Sequence, residues 1–83
     1  MQTVYNRNEA ATKAFLLEAG TIVHVLPDGH YCELPGENII FGVTELLLGW
    51  ESDQPTQRLL DVSASEESRI KPIPKANLKK LIE

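Results

Sequence analysis

Apolar and polar positions along this chain alternate in short runs broken by glycine, proline and aspartate, a strand-and-turn pattern rather than a helical stripe. The run Lys13 to Glu18, KAFLLE, is apolar enough for a buried strand, and Thr21 to Leu26, TIVHVL, is β-branched. Together they predict a strand pair joined by a tight turn at Gly20. Pro27-Asp28-Gly29 is the clearest turn, because proline presets the first turn position and Asp-Gly tolerates positive φ, and it joins TIVHVL to HYCEL as a β-hairpin. Pro35-Gly36 marks a second reversal, after which Asn38 to Phe41 returns as a strand. Before these, Val4-Tyr5 within the polar frame Met1 to Asn8 reads as a short strand or an ordered arm, and residues 8–12 as a turn or one helical turn that connects strands.

Beyond Phe41 the pattern changes. Thr44 is placed to cap a short helix, Glu45, Leu46, Leu47 and Leu48 build its turn, and Gly49 stops it. A polar, acidic loop follows from Trp50 to Gln57. Leu60, Val62 and Ala64 alternate with Leu59, Asp61 and Ser63 as a half-buried strand does. Ser65 to Ser68 turns the chain, and Arg69 to Ile73 runs back as a strand that Pro72 assigns to an edge. Pro74 opens a closing helix with Leu78, Leu81 and Ile82 on one face and Lys75, Lys79 and Lys80 toward water. Many short strands with closely spaced turns predict a mainly β, antiparallel roll.

The stretch Gly36 to Ala64 carries the candidate chemistry. A Phe41-Gly42 turn opens the helix, whose first N–H groups its own turn does not use, and glycine permits close approach. Arg58, just before the next strand, offers a planar donor fork suited to a phosphate. This layout resembles the phosphate-binding cassette of cyclic-nucleotide-binding domains, in which Phe-Gly-Glu opens a short helix and Arg-Ala-Ala/Thr follows a loop. The matching features are Phe41-Gly42, the helix Thr44 to Leu48, and Arg58 with Ser63-Ala64 downstream; the order of turns before the cassette matches as well. Val43 occupies the place of the family's ribose-binding glutamate, and Leu59 that of the small residue after the arginine. Glu45, two positions on, points about 160° away from that glutamate's direction by the helix repeat.

The resemblance implies an antiparallel double-stranded β-helix, a jelly-roll-like β-roll with a cassette helix and a C-terminal helix, spanning residues 1–83 as a single domain shortened at its N-terminal side. It implies a regulatory, ligand-sensing role in signal transduction, with cAMP or cGMP held by Phe41, Gly42, Val43, Thr44, Glu45, Arg58 and Leu59, and no further cofactor. The alternative of another class is a domain that has lost the nucleotide and serves protein interaction or homodimerisation. Arg58 then pairs with Glu51, Asp53 or Asp61.

Composition narrows the classes. With 83 residues and 42% apolar content the chain suits one small globular domain. A net charge of −4 argues against a nucleic-acid binder that works by neutralising phosphates. The single cysteine, Cys32, has no internal partner, and no apolar run reaches membrane length, so a cytoplasmic setting with no membrane partner is expected. His24, His30 and Cys32 lack metal-site spacing, with His24 reading as a strand residue and Cys32 as a buried small apolar one. No nucleophile elbow or phosphate loop is present, so no enzyme is expected. Trp50 suits either stacking on a base or covering the core beside the helix.

Overall fold

The computed structural model describes residues 1–82. Strands β1 (Gln2–Tyr5), β2 (Ala10–Ala11), β3 (Lys13–Val25) and β4 (Tyr31–Phe41) precede helix α1 (Thr44–Leu48); β5 (Thr56–Gln57), β6 (Asp61–Ala64), β7 (Arg69–Pro74) and helix α2 (Lys75–Ile82) follow. All strand pairings are antiparallel: β3 pairs with β4 along one side and with β7 and then β6 along the other, β6 carries β1, and β2 pairs with β5. The mainly antiparallel β architecture with two short helices is the one the turn spacing predicts.

Two expected reversals are absent. Gly20 and Pro35-Gly36 do not turn the chain: β3 runs unbroken for 13 residues and β4 for 11. Gly20 lies opposite Gly36 in the ladder, at the point where β3 exchanges one neighbour for another, pairing with β7 from Lys13 to Ala19 and with β6 from Ile22 to Val25. Its φ is +127°, and a Cβ there would stand 2.6 Å from the Ser68 Cα, so glycine answers a close crossing of backbones. Pro35 is tolerated because β4 is an edge strand whose outer side needs no ladder donor.

The hairpin at Pro27-Asp28-Gly29 forms as expected, with the Leu26 amide donating to the His30 carbonyl at 2.7 Å. The Asp28 carboxylate accepts from the His30 amide and lies 2.8 Å from the His30 imidazole, which together hold its pKa below the usual value. At the other end, residues 8–12 contain the two-residue strand β2 rather than a plain turn.

Apolar side chains gather in two clusters. Tyr5, Phe15, Leu17, Ile22, Phe41, Val62 and Ala64 form one, with the Phe15 ring stacked between Tyr5 and Phe41 at centroid distances of 5.8 and 5.5 Å. Ala11, Ala14, Leu46 and Leu78 form the other, which Val43, Trp50 and Ile73 flank. Trp50 thus covers the core beside α1. On α2, Leu78 is buried but Leu81 is exposed, and the Ile82 side chain lies outside the described residues. Lys75 and Lys79 are not in open water either, since both ammonium groups sit over the Trp50 ring, at 5.7 and 5.1 Å.

Candidate functional site

The seam between the two clusters is where the cassette residues meet. Arg58 is held there by its own backbone: its N–H donates to the Glu9 carbonyl at 2.7 Å and its carbonyl accepts from the Asn8 amide at 2.8 Å. Its side chain turns inward, only 2% exposed. One terminal nitrogen, Nη1, donates to the Gly42 carbonyl at 2.7 Å and to Glu45 Oε1 at 3.2 Å, and the other, Nη2, donates to the Lys13 carbonyl. The guanidinium also sits over the Tyr5 ring, with its carbon 4.1 Å from the ring centroid. The expected convergence of the Gly42 turn and Arg58 is therefore present. What fills it is protein.

Glu45 is the unexpected member. The acidic partners anticipated for Arg58 were Glu51, Asp53 and Asp61, yet the first two are exposed and Asp61 accepts from the Arg7 amide at 2.6 Å. Glu45, 6% exposed, forms the ion pair. Two charges withdrawn from water this far are tolerable only together, because each would otherwise carry an unpaid desolvation penalty of several kcal/mol. The Tyr5 hydroxyl shares this environment: burial raises its pKa, the Glu45 charge raises it further, and Arg58 opposes both. Among the described residues no buried side-chain nitrogen or oxygen lacks a partner.

Gly42 has φ +73°, and a Cβ there would lie 3.1 Å from Arg58 Nη1 and 3.3 Å from the Tyr5 ring. The glycine is required by the turn and by the arginine beside it. The helix begins differently from expectation. Val43, not Thr44, is the N-cap, because its carbonyl accepts the first helical bond from the Leu47 amide at 3.0 Å; it lends no side-chain cap. Thr44 is exposed, as is Leu59 at 53%, so neither closes over the arginine.

A cavity of about 160 Å³ opens beside this group, lined by Tyr5, His24, Gly42, Thr44, Glu45, Leu59 and Leu60. Pockets that enclose drug-sized ligands run from about 300 to 1,000 Å³, and this cavity is smaller than that range. A larger groove, about 380 Å³, lies on the far side of Glu45, between α1, the acidic loop and α2; Leu46, Ser52, Asp53, Lys75 and Lys79 are among its walls. Lys75 crosses it to donate to the Gly49 carbonyl at 2.8 Å. Elsewhere, Cys32 is exposed rather than buried, opposite His24 on the neighbouring strand, and His30 engages Asp28. The described residues hold no group of three or more potential metal ligands.

No family model matches the chain, and no curated protein matches it. Solved structures do. The cAMP-bound form of the EAL enzyme Bd1971 superposes with a TM-score of 0.68 at 24% identity over 96% of this chain. Its halfsite-occupied form gives 0.70 at 23% identity over 96%, and a protein of a cyclic-GMP-dependent signalling pathway that regulates bacterial phytopathogenesis gives 0.71 at 24% identity over 98%. The likeness is one of fold. The chain spans 21% of the first of these proteins, 69% of the second and 62% of the third.

Proposed function

We propose that this chain is a non-catalytic regulatory module of the cyclic-nucleotide-binding type whose cassette is closed from within, so that it acts through protein contacts rather than through a bound nucleotide. One observation carries the reading: Arg58, the residue that would hold a cyclic phosphate, is buried and already bonded to Gly42, Lys13 and Glu45. A phosphate entering here would have to displace a paired carboxylate in a water-poor site, and gains little that Glu45 does not already supply. Val43 stands where the family has its glutamate, and the cavity beside Gly42 measures about 160 Å³, which supports the closed reading. Apolar side chains that a contact surface could use are exposed on β4 and α1, notably Tyr31, Ile40, Leu47 and Leu48.

A second reading, cAMP or cGMP sensing at Phe41, Gly42, Val43, Thr44, Glu45, Arg58 and Leu59, is favoured by the cavity that does open at the Gly42 turn and by a fold shared with a cAMP-bound structure. It requires Glu45 to leave Arg58. Calorimetric titration separates the two. The closed module gives no saturable heat with either nucleotide at millimolar concentration, whereas a sensor gives heat that Arg58→Ala abolishes. Saturable heat of that kind would overturn the closed reading.

A further inference from the structure

We infer that the groove between α1, the acidic loop and α2 is a binding site for a small polyol phosphate, separate from the cassette. Its volume, about 380 Å³, falls within the range of pockets that enclose small ligands. Neither Gly42 nor Arg58 lines it, so it stands apart from the question of nucleotide binding. Buried Ala11 and Leu46, both of the second apolar cluster, belong to its lining, which seats the groove on packed core rather than on loop alone.

The cationic side is built by α2. Lys75 and Lys79 stand about one helical turn apart, and the Trp50 ring steadies both ammonium groups, at 5.7 and 5.1 Å. Lys75 Nζ donates to the Gly49 carbonyl at 2.8 Å and to the Ser52 carbonyl at 3.5 Å, which leaves it a further proton to give. No carboxylate among the described residues pairs with either ammonium, and the charge of Glu45 is committed to Arg58. Two steadied ammonium groups without a counter-ion select an anion. A phosphate monoester carries nearly two charges at neutral pH and can engage both. The rest of the lining selects hydroxyl groups: the Asp53 carboxylate accepts them, and Thr12, Gln54 and Thr56 can both donate and accept. Asp53 also repels a bare anion, so a ligand with phosphate at one end and hydroxyls at the other suits the groove better than inorganic phosphate does.

Trp50 is the chain's single tryptophan and lies against both lysines, so its fluorescence reports on the groove directly. Titration of the wild type with glucose-6-phosphate is expected to give a saturable change with half-saturation below about 1 mM, and glucose and inorganic phosphate, at matched ionic strength, to need about tenfold more or beyond. Lys79→Met removes the charge but keeps an unbranched side chain beside the ring, and is expected to raise half-saturation for glucose-6-phosphate about tenfold. Asp53→Asn is expected to narrow the gap between glucose-6-phosphate and inorganic phosphate. A wild type that shows no saturable change by about 10 mM would overturn the inference. So would inorganic phosphate binding as tightly as the sugar phosphate, or a Lys79→Met chain with wild-type circular dichroism and unchanged half-saturation. Should Lys79→Met fail to fold, the comparison of the three ligands on the wild type decides the matter alone.

Discussion

Arg58 and Glu45 each make sense only in the presence of the other. Tyr5 lies against the same pair, with the Arg58 guanidinium over its ring and its phenol pKa raised by burial and by the Glu45 charge, which gives the site a measurable alkaline limit. The folded chain keeps Tyr5 protonated to higher pH than the unfolded chain, whose phenol titrates near 10. Above that value the unfolded state binds fewer protons, so stability falls as pH rises. Tyr5 protonation thus contributes its full stabilisation below about pH 10 and loses it as pH climbs through the folded value. Tyr5→Phe should flatten this alkaline decline while leaving the slope near neutral pH unchanged, as read from urea midpoints across the range. An identical alkaline slope in the variant would show that Tyr5 titration is not its source.

Among the elements, β3 makes the strongest demand on sequence, because it holds three neighbours across one glycine. At Gly20 an added Cβ would meet the Ser68 backbone at 2.6 Å and must also adopt φ +127°. At Gly29, φ is +91° but nothing lies within 4 Å. Gly20→Ala is therefore expected to cost about 2 kcal/mol or more and Gly29→Ala about 1 kcal/mol, by chemical denaturation. Equal losses would mean that the crossing at Ser68 imposes no constraint of its own. The same element shows what could be read from the sequence. Pro27-Asp28-Gly29, the helix Thr44 to Leu48 and the alternation at Val62 and Ala64 are local signals, and each produced the expected structure. Gly20 and Pro35-Gly36 look like turns locally, but they are cross-strand features, and no nearby residue reveals that they face each other. Lys75 and Lys79 were assigned to water because the helix pattern says nothing of Trp50, which a distant loop places beneath them.

The site was legible in the same uneven way. Gly42 and Arg58 were identifiable as a pair because their residue types and spacing resemble a cassette, and they do converge. Their closure by Glu45 was not, since it depends on how α1 is rotated. One clue existed: Glu45 directly precedes Leu46, the leucine of this helix that is buried, and an acid turned inward beside it needs a partner.

For the molecule as a whole, β3 links the two apolar clusters, contributing Ala14 to one and Phe15, Leu17 and Ile22 to the other. The clusters should therefore unfold together. Trp50 fluorescence, which reports on the second cluster, and far-ultraviolet circular dichroism, which reports on the strands, are expected to give coincident denaturation curves. A Trp50 transition at lower denaturant would mean that α1 and α2 detach before the sheet. The Glu45–Arg58 pair joins the same two halves, because Arg58 lies against Tyr5 and Phe15 while Glu45 belongs to the helix that carries Leu46. It is tested most directly by a double-mutant cycle with Glu45→Gln and Arg58→Met, measured by chemical denaturation. A buried pair that fills its own site predicts a coupling energy of about 2 kcal/mol or more, whereas losses that add to within about 0.5 kcal/mol would contradict it.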